Sequence, residues 1–284
     1  MFVRFGRWLR RRWLLVLTLA GAAAVLFAAG CAQLAQKERE LVFRIEPGTA
    51  RWFGGLPAGV QEFDIPVTSR DGAQSLHAWW WPALTRDAPA VLYLHGSRWN
   101  LTGHTSRIAQ LRHFGFSVLA IDYRGFGQSG FGKNTGGLPS EETVYEDAQA
   151  GWERLVELQP RAGSRFIYGH SLGGAVAIDL AQKLSAKART AGTPVPARGL
   201  IVESTFTSLA DAAAAVTQSI FPIGWLLTQK FDSVEKIGAV DVPVLLVHGM
   251  EDRYIPARFS EALYAAAAQP KKLLLIEGGT HNSS

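Results

Sequence analysis

Short apolar runs recur along most of this chain, each bounded by glycine-rich or polar stretches. Residues 90–94, 116–121, 165–168, 200–202, 242–247 and 273–276 read as buried strands, since continuous apolar runs of this length suit strands covered on both faces. Residues 62–67 and 76–81 read as an opening antiparallel hairpin, with Ser69, Arg70, Asp71 and Gly72 as its turn. Trp79, Trp80 and Trp81 cannot all face one side of a strand, so at least one lies near solvent or under a neighbouring loop. Between strands the spacing becomes helical. Ser140 caps a helix running to Leu158, with Val144, Ala148, Trp152 and Leu155 on one face. A second helix, Leu172 to Leu184, opens on small residues that allow a close approach to the sheet. Strands alternating with helices predict an α/β architecture, a mostly parallel central sheet with helices on both faces.

The N-terminus departs from this pattern. Arg4, Arg7, Arg10, Arg11 and Arg12 precede an apolar run from Trp13 to Ala29, which ends in Ala28-Ala29-Gly30-Cys31. A charged start, an apolar middle and small residues before a cleavage point mark a secretory signal. The segment resembles a bacterial lipoprotein signal with Cys31 as the lipidated residue. An uncleaved inner-membrane signal anchor is the alternative, the run being near the short limit of ~17 residues for a spanning helix. Both readings keep the arginines inside and place the rest of the chain across the inner membrane, in the bacterial cell envelope facing the periplasm. Ala32, which is not an aspartate, leans toward the outer membrane. The expected organisation is a signal or anchor at 1–31, a tether leading into the domain at 32–58, and a catalytic domain at 59–284. Within it, 37–46 reads as polar with amphipathic character.

Charge and cysteine content narrow the function. The chain has 29 Lys+Arg against 24 Asp+Glu, and the first thirty residues carry five arginines and no acid. The basic balance therefore belongs to the targeting segment, and no nucleic-acid surface is indicated. With a single cysteine, no intrachain disulfide forms.

The chemistry centres on Gly169-His170-Ser171-Leu172-Gly173, a G-x-S-x-G between a strand-like and a helix-like run. A sharp strand-to-helix turn exposes a serine to a histidine base and to waiting backbone N–H groups. By itself the pentapeptide is also what a glycine-rich turn looks like, so its partners decide. In this arrangement the order is Ser, acid, His, and of seven histidines only His281 lies late enough, on a loop after an apolar run. Asp252, in the polar loop after 242–247, is the candidate acid; Glu251 and Glu203 are its rivals. Leu172 N–H and Ser97 N–H are the candidate oxyanion donors, with Gly96 allowing close approach of the backbone. Arg98 and Trp99 either line an acyl pocket or belong to a plain surface loop. His95 reads as loop-shaping. Asp122 and Arg124 read as fixing a glycine-rich turn rather than as catalysts.

Taken together, Leu94-His95-Gly96, the 122–130 stretch Asp-Tyr-Arg-Gly-Phe-Gly-Gln-Ser-Gly, the 169–174 elbow, Glu203-Ser204-Thr205-Phe206, His248 to Asp252 and Gly279-Thr280-His281-Asn282 resemble the α/β-hydrolase superfamily over roughly residues 60–284. They resemble its Bem46-like branch, grouped with serine aminopeptidase-like hydrolases. The resemblance implies the α/β-hydrolase fold, Ser171, Asp252 and His281 as the triad, and no metal or organic cofactor. Too few residues separate Glu203 from Asp241 for a large lid. Apolar stretches at 210–216 and 220–227 predict one or two short helices and a small or absent cap. Family members usually continue past the histidine with a further helix, whereas this chain stops at Ser284: either the domain ends early or the sequence is shortened, and in the second case a less well packed His281 loop is expected. The expected activity is hydrolysis of a small-molecule or lipid carboxylic ester by a membrane-attached enzyme. A thioesterase, an aminopeptidase-like hydrolase and a non-catalytic lipid- or protein-binding envelope protein are the alternatives.

Overall fold

The structure, a computed structural model, describes residues 2–69, 72–130, 137–217, 224 and 227–283. All the strand-like runs become strands of one sheet: β1 (Gln61–Ser69), β2 (Gly72–Trp81), β3 (Ala90–Leu94), β4 (Ser117–Ile121), β5 (Arg165–His170), β6 (Gly199–Glu203), β7 (Val244–Gly249) and β8 (Lys271–Ile276). Their spatial order is β1-β2-β4-β3-β5-β6-β7-β8. The first two pairings, β1 with β2 and β2 with β4, are antiparallel, and the remaining strands run parallel. β3 and β4 are buried at every position, as their unbroken apolar runs require.

This order matters for function. The chain winds outward from β3 to β4, then returns past β3 to β5, so β3 and β5 flank a reversal of strand order. Crevices at the carboxyl ends of strands beside such a reversal are where open α/β sheets bind ligands. Leu94 pairs with Gly169 there, bringing the loop after β3 against the elbow after β5.

Helices α2 (Thr105–His113), α3 (Glu141–Leu158), α4 (Leu172–Ala191), α5 (Leu209–Thr217), α6 (Ser233–Ile237) and α7 (Arg258–Ala266) cover the sheet. Ser140 caps α3 in a reciprocal capping box with Thr143, and Val144, Ala148, Trp152 and Leu155 are buried as their spacing predicts. The tryptophan triplet divides between the faces. Trp79 lies with Val91 and Tyr93 in one core cluster, Trp80 packs against the other, and Trp81 sits beneath the Arg112 guanidinium, 5.0 Å from its ring centroid. Asp122 and Arg124 do fix the turn after β4, though not through each other. Asp122 accepts the Leu101 N–H at 2.9 Å, while Arg124 is held by buried Asp147 at 2.5 Å. Arg70, Asp71 and most of the 220–227 stretch lie outside the described residues.

The N-terminal segment is one helix, α1 (Phe2–Phe43), continuous through exposed Cys31. Its Val16–Phe43 portion is long and apolar enough to cross a membrane. Its far end differs from the tether read in the sequence. Phe43 is fully buried, with ring centroids 6.5 Å from Phe126 and 6.2 Å from Phe231. Glu38 accepts hydrogen bonds from Thr228 N, Thr228 Oγ1 and Gln229 N at 2.8, 2.6 and 2.8 Å. Phe43, with part-buried Val42 and Ile45 packed beside it, and the buried Glu38 carboxylate find their partners far away in sequence.

Candidate active site

The elbow is a forced turn. Ser171 stands between β5 and α4 at φ 54°, ψ −122°, a region that costs a side-chain-bearing residue on the order of 1–3 kcal/mol. Its surroundings pin it there. Ser171 N–H donates to the Glu203 carbonyl at 2.9 Å, and Ser171 C=O accepts from Gly174 N at 2.8 Å and Thr205 Oγ1 at 2.7 Å. The flanking glycines are required by contact rather than by dihedral. A Cβ on Gly169 would collide with the Gly173 carbonyl, and one on Gly173 with the Leu94 carbonyl. Gly96 faces Ser171 so closely that a Cβ there would lie 3.2 Å from the serine Cβ.

Three of the predicted residues meet in a hydrogen-bonded line. His281 Nε2 lies 3.1 Å from Ser171 Oγ, and His281 Nδ1 lies 2.6 Å from Asp252 Oδ2. An ionised carboxylate only accepts, so Nδ1 carries the proton and Nε2 is left to receive the serine's. The other oxygen of Asp252 accepts the backbone N–H groups of Tyr254 and Ile255, both at 2.9 Å. Burial opposes the Asp252 charge. Hydrogen bonds from His248, His281 and Ile255 N–H outweigh it and hold the carboxyl well below the usual carboxylate range. The histidine loop is tied down as well. His281 C=O accepts from His170 Nε2 at 2.9 Å, Glu251 N–H donates to Gly279 C=O at 2.8 Å, and Thr280 bridges to Ser283.

The remaining predicted residues fall as follows. Leu172 is the first residue of α4, where an N–H has no carbonyl one turn back to bind. Ser97 follows Gly96 on the opposite side of the elbow and is half-buried. Arg98 is exposed and pairs with Glu46 at 3.0 Å, and Trp99 stands edge-on to Trp52 with centroids 5.0 Å apart. Glu251 is exposed, while both oxygens of Glu203 are bound by Arg107, at 2.9 and 3.0 Å. His95 is fully buried and bonded to the Gly96 carbonyl at 2.7 Å, in keeping with a loop-shaping role. Among the described residues no three His, Cys, Asp or Glu gather to hold a metal. A groove of about 940 Å³ lined by Glu141, Tyr145, Lys183 and Gln229 opens on the α3 side, in contact with none of the residues of this line.

Sequence reasoning missed His170, His248, Thr205 and Arg107 as supports. The first three sit inside the motifs already singled out, so their positions were visible while their partners were not. His170 is buried beside His281, and burial pushes its imidazole well below the ordinary histidine value, so it is neutral. His248 lies 3.4 Å from Asp252, donates from Nε2 to the Ile255 carbonyl at 2.7 Å and meets Ser260 Oγ through Nδ1 at 2.6 Å.

Known proteins resemble this chain in sequence and in fold. The sequence profile of the Hydrolase_4 family, serine aminopeptidase S33, matches residues 86–236. An uncharacterized protein of Mycobacterium tuberculosis is 36% identical over 80% of this chain and 74% of its own. The lysophosphatidylserine lipase ABHD12 of Danio rerio is 31% identical over 77% of this chain and 58% of its own. Among solved structures, the Pyrococcus furiosus esterase Pf2001 superposes with a TM-score of 0.59 at 20% identity, covering 84% of this chain and 89% of the esterase.

Proposed function

We propose that this chain, which belongs to the serine aminopeptidase S33 family of α/β-hydrolases, hydrolyses carboxylic esters at the membrane through Ser171, His281 and Asp252. The observation that carries the reading is the line Ser171 Oγ, His281, Asp252, with both contacts at hydrogen-bond distance. In the reaction Ser171 Oγ attacks the acyl carbon and its proton passes to His281 Nε2. Asp252 keeps the imidazole in the working tautomer and stabilises the imidazolium. The oxyanion that forms is received by the N–H groups of Leu172 and Ser97. The alcohol then leaves with the proton from His281, giving the acyl-enzyme. Water, deprotonated by the same imidazole, releases the acid and restores the serine.

A lipid ester is the substrate class the architecture favours. The loop after β3, at the strand ends where Ser171 lies, donates the Arg98 N–H to the Phe43 carbonyl at the end of α1. The apolar helix and the candidate site thus share one edge of the sheet. α1 is the proposed attachment, either as an uncleaved anchor or as a signal removed up to a lipid-bearing Cys31. The mass of the membrane-extracted protein distinguishes these.

The family's name makes the amide bond the second reading. An aminopeptidase needs a carboxylate for the substrate ammonium, and the buried Glu203 is already committed to Arg107. The test is hydrolysis of p-nitrophenyl esters of increasing acyl length by the full chain in detergent micelles, beside a thioester and an aminoacyl arylamide. Loss on the order of 10⁴–10⁶ in Ser171→Ala is expected, with an optimum at long acyl chains. Undiminished ester turnover in that variant would sink the assignment.

A further inference from the structure

Two consecutive residues after β3, Arg98 and Trp99, hold positive φ angles of 69° and 63°. Bulky L-residues rarely adopt this region and keep it only where their surroundings over-determine it. Both follow Ser97 directly, so the turn that strains them also sets the direction of the Ser97 N–H. Beside His95 on the Gly96 carbonyl and Asp122 on the Leu101 N–H, a continuous row of the groups that hold this turn comes from one stretch, residues 43–52, through which α1 joins the domain.

The contacts run along both segments in order. Phe43 C=O accepts the Arg98 N–H at 2.9 Å. Glu46 Oε1 accepts from Arg98 Nε at 3.0 Å, and Gly48 C=O accepts from the Asn100 side-chain amide at 2.7 Å. Ala50 N–H donates to Thr102 Oγ1 at 3.0 Å. Trp52 closes the row with its ring against Trp99 and its indole N–H on the Gly103 carbonyl at 3.3 Å. On the core side, the Phe43 ring meets Phe126, which stands edge-on to His95 with ring centroids 5.0 Å apart.

We infer that residues 43–52 are a strap that positions the oxyanion side of the site, with Glu46 and the Gly48 carbonyl as its outer ties. The N-terminal segment is then a working part of the hydrolase as well as its attachment. The inference rests on the proposed roles of Ser171 and Ser97. Without the strap, Arg98 and Trp99 relax toward negative φ, the Ser97 N–H turns away, and Leu172 N–H is left to receive the oxyanion alone.

The test uses the full chain in detergent micelles and the double variant Glu46→Ala with Asn100→Ser. Serine retains an oxygen for the Thr102 N–H, which Asn100 now caps at 3.1 Å, but lacks the amide that reaches Gly48. Lys37→Ala, an exposed change on α1, is the control. Losing one oxyanion donor costs about 10²–10³ in kcat, so a loosened strap is expected to cost roughly tenfold or more. Hydrogen exchange across 95–103 should rise. Fluorophosphonate titration should still count a full complement of reactive serines, and kcat per titrated site should fall with KM within about twofold.

A purely structural role would instead reduce the number of titrated sites and leave kcat per site unchanged, which overturns the inference. Unchanged exchange at 95–103 overturns the strap whatever the activity. A wild-type chain with no Ser171-dependent turnover overturns the hydrolase reading, and the strap's role with it; the wild-type and Ser171→Ala measurements alone identify that case.

Discussion

Glu203 and Asp252 are two buried carboxylates on loops and strand ends of neighbouring strands, and they are occupied in opposite ways. Glu203, the last residue of β6 and 5% exposed, gives both oxygens to the Arg107 guanidinium. Asp252, just past β7 and 7% exposed, gives one oxygen to two backbone N–H groups and turns the other to His281 at 2.6 Å, with His248 farther off at 3.4 Å. Similar burial and similar placement at the carboxyl edge therefore do not select the acid. What suits Asp252 to the proposed acid role is a partner set that satisfies half of the carboxylate and leaves the other half pointing at an imidazole. The bidentate guanidinium does the reverse, consuming the whole group and turning Glu203 into a brace whose backbone carbonyl holds the Ser171 N–H.

The strongest way to break this comparison is to neutralise each carboxylate. Asp252→Asn is expected to lower kcat by about 10⁴ while leaving the fold intact, because an amide presents the wrong hydrogen-bonding partner to His281. Steady-state kinetics beside circular dichroism check it. Glu203→Gln is expected to act on stability instead. Removing one partner of a buried ion pair leaves the Arg107 charge uncompensated, at a cost of about 3–5 kcal/mol in denaturant unfolding, with kcat per folded site nearly unchanged. If Glu203→Gln abolished turnover in a folded protein, the two roles would have been wrongly divided.

Acid sharpens the contrast from another side. His95, His104 and His170 are buried, and burial lowers the pKa of each, so the folded protein keeps them neutral. An unfolded chain takes up those protons below its ordinary histidine value of about 6.5. The unfolded state then binds more protons, so stability is full above that pH and is lost as pH falls below it. The Asp252 carboxylate, held well below its ordinary value, keeps its contribution until far more acid solution. Melting temperature against pH is expected to fall on the acid side of about 6.5, less steeply in His104→Gln. The smallest effect belongs to the exposed rival: Glu251→Gln is expected to change stability by less than about 0.5 kcal/mol and to leave kcat unaltered, as urea unfolding and the ester assay would register.

Much of the site was legible in sequence because its signals are local. The apolar runs end where strands end, the glycines at 169 and 173 mark a turn that tolerates no Cβ, and His281 is the single histidine late enough in the chain. Asp252 and Glu251 stand side by side in one loop as candidate and rival, and the structure distinguishes them: Asp252 is buried and bonded to His281, Glu251 exposed. Contacts between distant residues were illegible. Arg107 meets Glu203 across 96 residues, and nothing in the pattern of α2 announces a guanidinium directed at the end of β6. Residues 37–46 read as a polar tether because Leu41, Val42, Phe43 and Ile45 are outnumbered by six charged residues. The burial of Phe43 depends on Phe126 and Phe231, which only the folded chain brings to it.

The docking of α1 also sets a timetable for synthesis. Glu38 and Thr228 are 190 residues apart in sequence. A ribosome adding about 5–20 residues per second delivers the second partner roughly 10–40 s after the first. For most of that interval the N-terminal helix is clear of the ribosome, while Phe43 waits for the ring of Phe231. The nascent chain therefore passes through a stage in which its first element is in place and that element's last turn is uncovered. Degradation and aggregation have their best opportunity there, and a chain released before residue 231 would remain at that stage permanently.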